Sequence, residues 1–187
     1  MSASERHLLE PLPDFESEEI SLFINQLDDQ ARLLRDELRG VTAAELSRQP
    51  APGMNTIGML LAHIAITEVF WTSVLTESAF LCEQVLGLRS EDDGMPLAAD
   101  GLPPACLAGK DLAYFDDLLA RARRNTVRQT RSLVAADLTR PIEQRRRAGI
   151  AILNGRWILY HMLEHTAGHR AQVALIGRLV GVRPAAA

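Results

Sequence analysis

Three histidines stand four residues apart in "WILYHMLEHTAGHRAQV", at His161, His165 and His169. The whole chain has only five, and a fourth, His63, lies in another apolar stretch, "MLLAHIAITEVFW". Neutral imidazole is the commonest side-chain ligand for metals. A four-residue step on a helix turns about 40° and rises about 6 Å, so side chains at i and i+4 share one face. His165 and His169 can therefore aim two rings at one ion, the HxxxH arrangement of helical zinc sites. His161 and His165 can do the same. All three cannot, because His161 and His169 are about 12 Å apart along the axis by that rise. One of the outer two must stand behind the ligand pair. A third ligand has to come from another segment, and His63 is the candidate. An unpaired polar group there would cost about 1–3 kcal/mol, which metal binding avoids. A lone buried histidine is more often a hydrogen-bonded core residue; it is the coincidence with an HxxxH pair that favours ligation. Three histidines leave at least one coordination position for water or substrate, the pattern of catalytic rather than structural sites.

Other chemistry-bearing residues read more plainly. Glu68 is five residues from His63, about 140° round the helix, and Glu164 neighbours His165; both read as surface or inter-helix ion-pair residues. Thr126 and Thr130 interrupt an apolar stripe, and either line a small polar pocket below a metal or bond back to their own helix. Cys82 and Cys106 form no CxxC pair and read as buried, inert thiols. The arginines from Arg121 to Arg131 read as a solvated face. There is no glycine-rich phosphate loop, no GxSxG and no HExxH.

These residues need elements to hold them. The chain of 187 residues is 47% hydrophobic and 24% charged, enough to bury a core. Its net charge of −4 offers no broad basic field for nucleic acid. The N-terminus is acidic with no apolar h-region. No apolar run approaches the roughly 20 residues of a membrane span. A reduced, cytoplasmic protein without nucleic-acid or membrane partners is the expectation, built as one domain over 1–187 with residues 1–15 loosely ordered. The periodicity predicts four long helices: about Ser17–Arg39, Thr56–Leu75 with a further piece to Leu86, Asp111–Ala136, and from Ile150–Arg156 to Leu179, stopped by Gly181 and Pro184. "GLRSEDDGMPLAADGLPPACLAG", with four glycines and three prolines, reads as a long crossover connection, and "DLTRPIEQRRRAG" as a second linker. Strand signal is slight. The sum is an all-α fold, a four-helix bundle with one long crossover.

The stretches "NTIGMLLAHIAITEVFW" and "WILYHMLEHTAGHRAQVALIGRLVG" resemble the DinB-like/YfiT-like superfamily of small bacterial four-helix bundles, and "VTAAELSRQPAPG" extends the likeness over most of the chain. The resemblance implies a metal triad at His63, His165 and His169, with His161 a nearby non-ligand. It implies nickel or zinc, a homodimer, and a small-molecule substrate. Relatives of this kind activate low-molecular-weight thiols in S-transfer or isomerisation, or are classed as hydrolases; a non-enzymatic, stress-associated metal-binding bundle is the alternative. Two positions depart from the pattern. Ala171 replaces the glycine of "HRGQ", and Gly168 stands where a larger side chain is usual, which widens the expected pocket beside the metal.

Overall fold

The structure, a computed structural model, describes residues 8–146 and 149–182. His7 and Pro184, and residues 1–7 of the expected N-terminal segment, lie outside the described residues.

Each long helix starts where a short polar side chain caps it. The Ser17 hydroxyl accepts from the Ile20 N–H at the head of α1 (Glu18–Glu37), with Glu18 and Glu19 in the first turn, where the helix dipole favours negative charge. Thr42 and Glu45 form a reciprocal capping box on the short α2 (Ala43–Leu46). Thr56 caps α3 (Ile57–Leu75). The short α4 (Cys82–Leu86) follows, and Asp111 caps α5 (Leu112–Thr130). Two strands, β1 (Ile142–Arg146) and β2 (Gly149–Leu153), form an antiparallel hairpin with Ile142 opposite Leu153. Asn154 then caps α6 (Gly155–Val180), which ends on Gly181 at φ +85°. That left-handed residue is one that glycine adopts without strain.

The chain is mostly helical. α3 packs against α5 and α6, and α1 packs against the same two. α3 is long and apolar enough to cross a membrane by length and composition, contrary to the reading that no run approaches a span. Its 18-residue apolar window is 83% buried inside the protein, which is why it is so apolar.

The apolar residues form two clusters. One gathers Leu34, Leu46, Leu60, Phe115 and Val173; the other gathers Ile20, Leu27, Trp71, Ile158 and Met162. Polar side chains also join the helices: α3 carries His63 and Glu68, α5 carries Arg123 and Thr126, and α6 carries His165.

Three readings are corrected. The third long helix stops at Thr130 rather than Ala136, and the chain continues in isolated turns. The expected linker is partly strand, with β1 at Ile142–Arg146, and Ile150 belongs to β2, so the fourth helix begins at Gly155, within the expected Ile150–Arg156 start. The helical piece at Cys82–Leu86 is separate from α3, not a continuation. Cys82 is buried as expected, and burial first, then nearby carboxylates, pushes its thiol up to about 11; Cys106 is exposed.

Candidate metal centre

His63 sits midway along α3 and the other two histidines one turn apart on α6. The helix–helix packing brings their rings together. The His165 Nε2 lies 3.1 Å from the His63 Nε2 and 3.0 Å from the His169 Nε2. One ligand atom from each of the three lies within 4.8 Å of the others. Nitrogens bound to one ion at about 2.0–2.1 Å in tetrahedral geometry are about 3.3 Å apart, so the two spacings at the His165 Nε2 are close to those of a shared cation.

Hydrogen bonds behind two of the rings set which nitrogen is free. The His63 Nδ1 faces the Asp93 Oδ2 at 2.7 Å. The His169 Nδ1 faces the Gln172 Oε1 at 2.9 Å. Both outer groups are acceptors, so both Nδ1 atoms carry the hydrogen and both Nε2 atoms present lone pairs. Those two lone pairs converge on the His165 Nε2, which can offer one hydrogen at most. Protein atoms alone leave at least one of these contacts unsatisfied. A cation between the three nitrogens would satisfy all of them, and the donor set therefore fits a divalent metal ion that accepts imidazole ligands.

Electrostatics agree with neutral rings. Burial, followed by the neighbouring His169, His63 and His161, drives His165 down from 6.5 to about 3. Burial also lowers His169, with the Gln172 hydrogen bond opposing it. Neutral imidazoles need no deprotonation before they bind a metal. All three rings are only half-buried, and the His63 side chain is 24% exposed, so the cluster is in partial contact with solvent.

The remaining candidate residues are placed as follows. His161 is outside the triad: it stacks on Trp157 at 4.8 Å, meets Trp71 edge-on at 5.0 Å, and stands 6.0 Å from His165, ring centre to ring centre. Its Nδ1 is 3.7 Å from the exposed Glu164. Gly168 is exposed, and a Cβ there would meet nothing within 4 Å. Thr126 and Thr130 both bond back to the carbonyls four residues earlier. Thr126 also donates to Glu68 and meets Thr72 at 2.9 Å. Glu68 is buried rather than surface-exposed and grips Arg123 through both carboxylate oxygens, at 2.8 and 3.1 Å. Arg123 pairs with Asp28 as well, tying α5 to α3 and α1. Sequence reasoning missed Asp93 and Gln172. Gln172 was findable, three residues beyond His169 on the same helix face. Asp93 was not: thirty residues separate it from His63, inside an acidic loop.

None of the curated proteins matches the chain. Among solved structures, a conserved protein from Enterococcus faecalis has a similar fold, with a TM-score of 0.63 and 20% identity, covering 87% of this chain and 96% of that one. A sequence profile described as the DinB superfamily matches residues 26–173, a stretch that contains all three converging histidines and both groups behind them. On that match, which spans most of the length from α1 into α6, the chain belongs to the DinB superfamily.

Proposed function

We propose that this chain is a divalent-metal enzyme in which His63, His165 and His169 hold nickel or zinc. The reaction is S-transfer from a low-molecular-weight thiol, or hydrolysis, on a small electrophilic substrate. One observation carries the reading: two lone pairs, fixed by Asp93 and Gln172, converge on a third imidazole nitrogen that cannot satisfy both. The half-exposed rings support an open rather than a sealed centre. A cation held there supplies Lewis acidity, lowering the pKa of a water or thiol so that a nucleophile is available at neutral pH.

The same reading takes the four long helices as a four-helix bundle whose crossover is the segment from α4 to α5, in a single domain. The exposed Tyr160, Leu175 and Leu179 on α6 support a homodimer. The engagement of Arg123 with Glu68 and Asp28, and of Arg121 and Arg124 with Asp117, supports a role without nucleic acid. The burial of α3 supports one without a membrane, and the free Cys82 and Cys106 are compatible with the reduced, cytoplasmic setting of this reading.

The test separates an open centre from a structural one. Cobalt(II)-loaded protein is titrated with a small thiol while near-ultraviolet absorption is followed. A thiolate-to-metal band that saturates, with metal-dependent consumption of a small electrophile, is expected. A cobalt spectrum indifferent to thiol, with no turnover of any electrophile with thiol or water, contradicts the proposal.

A further inference from the structure

We infer that Asp93 is the positioning residue of this centre, and that through it the crossover loop, residues 87–109, becomes part of the site. The inference rests on the reading of the three imidazoles as metal ligands. Asp93 has two carboxylate oxygens and each has one partner. Oδ2 lies 2.7 Å from the His63 Nδ1, and Oδ1 accepts from the Met95 N–H at 3.0 Å. The side chain is only 6% exposed. A carboxylate there holds the hydrogen on Nδ1 and so keeps the Nε2 lone pair free. It also places negative charge behind the ring, which complements a cation bound on the other side.

The loop holds Asp93 from the far side. Arg89 grips the adjacent Asp92 with its backbone N–H at 2.8 Å and its guanidinium at 2.9 Å. Gly94, at φ +69°, donates to the Glu91 carbonyl at 3.0 Å. A Cβ on Gly94 would stand 2.4 Å from the Pro104 Cγ, so only glycine lets the two limbs of the loop close this tightly. Leu88 and Leu107 pin both ends of the segment in the core, each 4% exposed. Asp93 is therefore aimed by a built loop rather than by α3 itself. Loop order and metal affinity are then linked, and linkage runs in both directions.

Asp93→Asn tests this with little change of shape. Asparagine offers one acceptor oxygen where the His63 ring and the Met95 N–H need two. Zinc affinity is measured by competition with a chromophoric chelator for wild type, Asp93→Asn and Asp93→Ala, with helical content checked by circular dichroism. Ring-nitrogen NMR of histidine-labelled wild type and variants, with zinc and after chelation, reads the tautomer of His63. The expected result is Nδ1–H on His63 in the chelated wild type, disturbed in both variants, and zinc binding weakened about 10- to 100-fold in each. Slowed hydrogen exchange of the Met95 amide on adding zinc is expected in wild type alone. Zinc affinity within threefold of wild type in both variants overturns the inference, as does a chelated wild type with the hydrogen on Nε2 of His63. A wild type that takes up no zinc overturns the metal reading instead; the NMR signal of the metal-free ring then decides by itself whether Asp93 sets the tautomer.

Discussion

His165 faces two lone pairs, and the consequence for pH has a definite sign. Its folded-state pKa of about 3 lies below the ordinary 6.5, chiefly through burial. Between those values the unfolded chain binds a proton that the folded chain does not. The metal-free fold is therefore expected to lose stability as pH falls from about 6.5 towards 3. Urea midpoints of chelated protein at several pH values check this, and a midpoint flat across that window contradicts it. The buried pair of Glu68 and Arg123 carries a second expectation. Glu68→Ala leaves a largely buried guanidinium with only the exposed Asp28 as partner, and should cost about 3 kcal/mol or more in chemical denaturation. Asp28→Ala, at a half-exposed carboxylate, should cost less than about 1 kcal/mol. At this scale the residue types and the four-residue step singled out His63 and the α6 histidines but left the pairs His161/His165 and His165/His169 open; the family resemblance chose His165 and His169. What was not legible was the hydrogen bonding behind them, because Asp93 reaches His63 only through the folded path of a loop. Glu68 was read as either a surface or an inter-helix ion-pair residue, and only its partner Arg123 on α5 decides for the second.

Two glycines of α6 should respond in opposite ways to the same change. Gly155 opens the helix against the 131–140 turns, and a Cβ there would stand 2.8 Å from the Leu138 Cα. Backbone cannot move aside as a side-chain tip can, so Gly155→Ala should destabilise by about 1–3 kcal/mol. Gly168 lies mid-helix with open space around its missing Cβ. Gly168→Ala should raise stability by up to about 1 kcal/mol, by removing the helix penalty of glycine. Thermal denaturation of both variants checks the pair; a change of the same sign in both would contradict the packing described. The helices themselves were readable because each has a capping side chain and a 3.6-residue apolar rhythm. The β1–β2 hairpin was not, and the reason is visible in its burial. Ile150 and Ile152 point outward, about 60% exposed, while β1 is "IEQRR" with only Ile142 buried. A strand that exposes its isoleucines lacks the alternation by which strands are recognised.

The molecule as a whole ties its helices with polar contacts as well as with two apolar clusters. Glu68 and Arg123 join α3 to α5, Asp28 adds α1, and the imidazoles join α3 to α6. An assembly of this kind gains from any ligand that joins its elements. Metal at about 100 times its dissociation constant should stabilise the fold by about 2.7 kcal/mol, and chelator should remove that increment. The mostly helical class was legible from composition and rhythm. The contact of α3 with α6, which makes the site, was not derivable from either; likeness to a family with that arrangement supplied the expectation. The decisive measurement is the metal content of purified protein, wild type against His165→Ala, by elemental mass spectrometry at matched helical content. About one nickel or zinc per wild-type chain, and almost none in the variant, is expected from three nitrogens sharing one cation. Equal metal in both, or none in either, would contradict it.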